Sequence, residues 1–174
     1  GGFPNEVARY ATAIPAARSD AQAATRWIRA NAAGFRFSPE AVASMGYSAG
    51  GVTSMGLAYL DPNDTGDNFT NPGYPSTIAA GVSLSGAAVG MSPGAPPVRM
   101  FHGDNDTTVL YASAVKTCEE ARAVGNDCEL TSYPDIGHGI YSAYGDWMPM
   151  AIRFYADVLV PLLADAPPPT VEPP

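Results

Sequence analysis

Lysine is nearly missing from this chain of 174 residues: Lys116 is the only one, and Lys and Arg together number 9 against 17 Asp and Glu. The formal net charge of −8 and the sparse charged content, 15%, exclude a basic face of the kind that grips nucleic acid or an anionic membrane. Long hydrophobic runs are also missing, and none approaches the roughly 20 residues of a membrane span. No signal-peptide pattern is present, and a start at Gly1-Gly2 is compatible with removal of a leader by processing. Histidine occurs twice and cysteine twice. Any imidazole chemistry therefore falls to His102 or His138. A Cys/His metal cluster has too few members, and neither a metal nor a cofactor is expected.

What is there is globular. Hydrophobic residues make up 46% and aromatics 10%, enough for one domain with a real core. That domain is expected over residues 1–165. The tail 166–174, APPPTVEPP, cannot pack as helix or strand and reads either as a tether or as a frayed end.

Glycine is concentrated at one informative place. Residues 46–50 read Gly-Tyr-Ser-Ala-Gly, the pattern G-x-S-x-G, which holds a serine on a tight strand-to-helix turn. Side chains two positions either side of Ser48 are expected to collide with the flanking elements. The hydroxyl projects beyond the sheet, and the first helical N–H groups face any anion formed beside it. Alone, the pentapeptide is also what a Gly/Ser-rich turn looks like. Its context is a short apolar strand at 41–45 before it and a helix at 51–60 after it.

Further strands are predicted at 78–85, 98–101 and 128–133. A helix is predicted at 19–33, capped by Ser19 and stopped by Gly34, with Ala23, Trp27, Ile28 and Ala30 at helical spacing. Two more helices are predicted at 111–124 and 147–163, the latter with Pro149 near its first turn. Strands alternating with helices predict a parallel, open α/β sheet of about four to five strands with helices on both faces. The strand at 98–101 runs into His102-Gly103-Asp104-Asn105-Asp106, and the strand at 128–133 into Pro134-Asp135-Ile136-Gly137-His138-Gly139. A serine, an acid and a histidine thus all follow the C-terminal ends of strands, where such sheets place their sites.

These segments together resemble the α/β-hydrolase superfamily, and within it small secreted serine esterases of the carbohydrate-esterase, feruloyl-esterase and hormone-sensitive-lipase-like kind. Gly46-Tyr47-Ser48-Ala49-Gly50-Gly51 is similar to their nucleophile turn. His102-Gly103-Asp104-Asn105-Asp106-Thr107-Thr108-Val109 is similar to their acid loop, H-G-x-x-D-x-x-V, and Gly137-His138-Gly139 to their histidine loop. The resemblance implies Ser48 as nucleophile, His138 as general base, Asp106 as the acid that orients it, and the Ala49 N–H as an oxyanion donor. Asp104 and Asp135 stand as alternatives to Asp106, and His102 reads as structural. The implied substrate is a small or polymeric carboxylic ester, with polysaccharide, short-lipid and polyester substrates all open. A non-catalytic binding subunit keeping a hydrolase core is the alternative.

The chain departs from the family pattern at its start. About eighteen residues precede the helix at 19–33, where the family has further strands and an H-G-G-type oxyanion loop. Gly1-Gly2-Phe3 is the one candidate stub of that loop. A sheet lacking those strands is expected to expose an edge through which copies could pair. Tyr47, beside the nucleophile, and Tyr141, Tyr144 and Trp147, after the histidine, are candidates for the substrate wall, with core packing an equal reading of each. Cys118 and Cys128, brought together by a Gly125-Asn126 turn, read as a disulfide or as two buried thiols; the former fits a secreted protein. Asp61, Asn63 and Thr65 alternate before Gly66 as in a calcium loop, but Pro72 stands where the bidentate Glu belongs, so a polar turn is preferred. Asn63 and Asn68 head glycosylation acceptor patterns.

Overall fold

The computed structural model describes residues 4–59, 70–88 and 90–164. The candidate calcium loop, both glycosylation acceptors, Gly1-Gly2-Phe3 and the proline-rich tail lie outside them.

Four strands, β1 (Ala43–Tyr47), β2 (Ala80–Leu84), β3 (Val98–Gly103) and β4 (Cys128–Tyr133), form one parallel sheet in the order β1-β2-β3-β4. The helices are α1 (Pro4–Ala30), α2 (Ala32–Phe35), α3 (Ala49–Ala58), α4 (Tyr111–Ala123) and α5 (Tyr144–Ala164), with a 3-10 turn at Ile140–Ala143 before the last. β2 is buried along its whole length, as expected of an inner strand covered on both faces. On one face Met55 and Leu57 of α3 and Ala114, Cys118 and Ala121 of α4 pack with Val98 and Met100. On the other, Trp147, Ala151 and Phe154 of α5 pack with Ala80, Val82, Leu84 and Phe101. Helices on both faces of a parallel sheet are what the alternation of elements predicts.

Cys118 of α4 and Cys128 of β4 are joined by a disulfide, their Cα atoms 5.3 Å apart. The reversal between them passes through Gly125 at φ +84°, a conformation that suits glycine. The bridge is buried in the same cluster as Met100.

The first helix corrects the sequence-based boundaries. It begins at Pro4, not at Ser19, and runs through Pro15. Ala11, Ala13, Ala16 and Ala17 favour helix on both sides of the proline, which removes one backbone donor without ending the element. The turn after it closes at Arg36 in the left-handed region (φ 57°), whose N–H reaches the carbonyls of Ala32 and Ala33, so Gly34 is not the stop. The apolar stripe is also displaced. Trp27 is 45% exposed, whereas Gln22, Thr25, Arg26 and Arg29 are buried. The buried arginines bind backbone: Arg26 Nε donates to the Thr70 carbonyl, and Arg29 donates to those of Pro39 and Pro75. Burial outweighs the attraction of Glu40 and lowers the Arg29 pKa. α1 thus straps the loops that lead into β1 and β2 through its polar residues.

Candidate active site

Ser48 occupies the junction between β1 and α3. Its backbone is in an unusual region for a non-glycine residue, φ 55° and ψ −120°, and is held there from two sides. The Ser48 N–H donates to the Leu84 carbonyl at 2.8 Å, and its own carbonyl accepts from Val52 at 3.0 Å. A Cβ at Gly46 would lie 2.0 Å from the Gly50 carbonyl oxygen, so any side chain there is incompatible with the turn. Gly50 itself has open space where a Cβ would point. The second crowded position is Gly51, whose Cβ would come within 3.0 Å of both Ser83 Oγ and the Leu84 carbonyl. The expectation of collisions two residues either side of Ser48 therefore holds before the serine and shifts by one residue after it. The cause is that α3 sets Gly51, not Gly50, against β2.

His138 lies in the loop after β4. Its Nε2 is 2.8 Å from Ser48 Oγ and its Nδ1 is 2.8 Å from Asp106 Oδ2. Three residues spread over ninety positions of sequence meet in one line of hydrogen bonds. The Asp106 side chain is fully buried, while that of His138 keeps 22% of its surface exposed. The other carboxylate oxygen, Oδ1, accepts the N–H groups of Thr108 (2.8 Å) and Val109 (3.1 Å). Burial alone would raise the Asp106 pKa. The hydrogen bonds from His138, Thr108 and Val109, with the charge of His138, outweigh it and hold the carboxyl below its usual range. Neither alternative acid takes this place. Asp104 Oδ1 accepts the backbone N–H of Asp135 at 2.8 Å, so these two residues brace the turn that leads to His138.

The His138 backbone is fixed by two residues that sequence reasoning did not assign this part. Ser85, fully buried at the end of β2 with φ 51°, donates its hydroxyl to the His138 carbonyl at 2.8 Å. Tyr47 donates to the same oxygen at 3.3 Å. Burial, and then the hydrogen bond and charge of the Tyr141 hydroxyl, raise the Tyr47 pKa and keep the phenol a donor. The one sequence signal for Ser85 is its place: the last residue of an apolar run, directly before Gly86, at a C-terminal strand end.

Of the candidate wall residues, Tyr47 and Tyr141 lie at the site. The Tyr47 ring is 5.2 Å from that of His138 and 5.2 Å from that of Tyr141, which is 65% exposed. Trp147 does not belong to a substrate wall. It is 5% exposed, packs in the α5 core cluster and donates Nε1–H to the Ile140 carbonyl. Its position on the first turns of α5 points it at the sheet, and Tyr144, 54% exposed, stacks edge-on over it. The Ala49 N–H heads α3 beside Ser48, among the first-turn donors that have no partner within a helix. The described residues contain no cluster of three or more His, Cys, Asp or Glu suited to a metal, and none of their helices is long and apolar enough to cross a membrane.

A parallel sheet with helices on both faces matches solved structures in shape. The native structure of a thermophilic esterase from the planctomycete Thermogutta terrifontis, Est2, superposes with a TM-score of 0.72 over 81% of this chain, at 21% identity. The chain has the α/β-hydrolase fold. The same esterase in its apo form gives a TM-score of 0.74 over 89% of the chain at 21% identity, covering 68% of the esterase. Its form phosphoramylated by tabun gives 0.75 over 83% at 22% identity, covering 65%. The chain spans about 63% of the length of the native esterase structure. Two protein-family models match the chain in succession: one described as BD-FAE over residues 7–89, and one described as the Prolyl oligopeptidase family over 84–160. The first covers the Ser48 turn and the second the loops that carry Asp106 and His138. No curated protein matched.

Proposed function

We propose that the chain hydrolyses carboxylic esters through an acyl-enzyme on Ser48, and the observation that carries this is the unbroken relay from Ser48 Oγ through His138 to Asp106. In this reading His138 Nε2 takes the Oγ proton as the oxygen attacks the ester carbonyl carbon. Asp106 accepts Nδ1–H, which leaves Nε2 as the proton acceptor and stabilises the imidazolium. The Ala49 N–H, at the start of α3, faces the developing oxyanion. Collapse of the tetrahedral adduct expels the alcohol, which receives the proton from His138 Nε2. Water, deprotonated by the same nitrogen, then attacks the acyl-Ser48 carbonyl carbon; as the second adduct collapses, the acyl–Oγ bond breaks, Nε2 returns the proton to Ser48 Oγ, and the acid leaves.

Tyr47 and Tyr141 form the substrate wall, and the exposure of Tyr141 admits both small and polymeric esters. The match to the Prolyl oligopeptidase family over 84–160 favours a second reading, a peptidase on the same residues. The catalytic unit extends over 1–165, with 166–174 as a tail. The buried disulfide supports a secreted protein. The side of β1 away from β2 has no strand partner among the described residues, which supports self-association through that edge; a monomer in sedimentation at micromolar concentration would overturn it.

The deciding experiment is hydrolysis of p-nitrophenyl acetate and butyrate, and of peptide p-nitroanilides, by the wild type and by Ser48→Ala, with fluorophosphonate labelling of both. Ester turnover and labelling that vanish in Ser48→Ala support the esterase. Turnover of the anilides alone supports the peptidase. A wild type that neither turns over nor labels overturns both in favour of a non-catalytic subunit.

A further inference from the structure

His102 is the second of the chain's two histidines and is fully buried. Its ring lies at the end of β3, edge-on to Tyr111 at 6.0 Å. Its Nε2 is 2.8 Å from the Val109 carbonyl oxygen and 3.0 Å from Asp106 Oδ2. Both neighbours are acceptors, and one of them is an ionised carboxylate. The nitrogen facing them must therefore carry the proton, since a lone pair there would meet two acceptor oxygens. The other nitrogen, Nδ1, is buried with no hydrogen-bond partner among the described residues. An unpaired nitrogen costs least as the bare lone pair of a neutral ring, which again leaves the single proton on Nε2.

The Asp106–Val109 turn is closed from within when Asp106 Oδ1 takes the N–H groups of Thr108 and Val109. His102 closes it from outside by donating to the Val109 carbonyl, and the same N–H lies against the carboxylate oxygen that receives His138.

We propose that His102 is a positioning residue, a neutral Nε2–H imidazole that pins the Val109 carbonyl and flanks Asp106 Oδ2, fixing the carboxylate to which His138 Nδ1 donates. This rests on Ser48, His138 and Asp106 acting as proposed above. A side chain that fills the same space without a donor leaves the Val109 carbonyl unpaired and lets the carboxylate turn. Sub-ångström to ångström misplacement of such a group is costly, so His102→Phe should lower kcat roughly ten- to hundredfold with KM changed by no more than about twofold. His102→Gln, whose amide nitrogen reaches the position of Nε2, should recover most of that loss.

Two measurements test this. The first is the 15N spectrum of the imidazole-labelled wild type at pH 7, in which only two rings contribute. A neutral Nε2–H tautomer for His102 is expected; an Nδ1–H tautomer or an imidazolium would overturn the proposal. This reading needs no activity and stands apart from the esterase assay. The second is kcat and KM for His102→Phe, His102→Gln, Asp106→Asn and the His102→Phe/Asp106→Asn double variant. The loss from His102→Phe should disappear in the Asp106→Asn background, because the residue acts through that carboxylate. An additive double variant, a Gln variant as impaired as the Phe variant, or a His102→Phe enzyme with wild-type kcat would each overturn it. A wild type without Ser48-dependent turnover would refute the esterase, while the tautomer would still decide the chemistry of His102.

Discussion

The hydroxyl of Ser85 and the backbone carbonyl of His138, fifty-three residues apart, are joined by a hydrogen bond of 2.8 Å. It ties the end of β2, the most buried strand, to the loop that carries the imidazole. Ser85→Ala should cost about 1 kcal/mol of stability in urea denaturation, the usual worth of one hydrogen bond. It should also lower kcat by about tenfold through a looser His138. Lowered stability with an unchanged kcat would show that Tyr47 and the Asp104–Asp135 contact suffice to hold the loop.

The two outer glycines of the serine turn should respond oppositely to alanine. Gly46→Ala places a methyl 2.0 Å from the Gly50 carbonyl oxygen. The strand or helix must then move, at a cost of roughly 3 kcal/mol or more. Gly50→Ala meets no atom within 4 Å and lies on the first turn of α3, so it should fold as well as the wild type or gain about 0.5 kcal/mol. Thermal melts of the two variants check this.

Tyr141 and Trp147, aromatic neighbours in sequence, should separate into a surface group and a core group. Trp147→Ala empties a buried site and should destabilise by about 3–5 kcal/mol. Tyr141→Ala removes a ring 65% exposed and should change stability by no more than about 0.5 kcal/mol. Its effect should appear instead in KM for bulky esters. Denaturation curves and steady-state kinetics on both variants distinguish the two outcomes.

Asp106 should make stability depend on acid. Its folded pKa lies below its usual value, so the unfolded chain binds the proton more tightly. The carboxylate stabilises the fold above its unfolded pKa of about 3.9, and the contribution is lost as the pH falls through the lower, folded value. Between pH 5 and acid extremes the wild type should therefore lose more stability than Asp106→Asn. Urea titrations across about pH 2.5–6 test it; parallel curves for the two proteins would show that another group dominates.

Much of this site was legible because its residues sit in short, ordered signatures. The Ser48 turn and the loops that carry Asp106 and His138 each follow an apolar run, and two histidines left little choice of imidazole. The strands were legible for the same reason, with β1 displaced toward the serine because the turn is tighter than its five-residue pattern suggests. What escaped were contacts between distant segments. Nothing local in Ser85 shows that its hydroxyl meets a carbonyl fifty-three residues on. Nothing in the helical spacing of Trp27 shows that Arg26 and Arg29 turn inward to bind loop carbonyls. Trp147 was ambiguous because an aromatic after a histidine loop and one on the inner face of a helix look alike until the helix is docked. Such features depend on tertiary pairing, to which periodicity is blind.

Ser48 follows β1, which among the described residues has a neighbour on one side only; β4 is the other such strand, but the Cys118–Cys128 disulfide ties it to α4. Asp106 and His138 follow β3 and β4, joined to each other along six residue pairs against five between β1 and β2. Fraying on warming should begin at β1, so that the Ser48 hydroxyl swings out of reach while imidazole and carboxylate stay engaged. Chemical reactivity would then fade before the bulk of the molecule melts, and amide exchange along Ala43–Tyr47 would register the loss first.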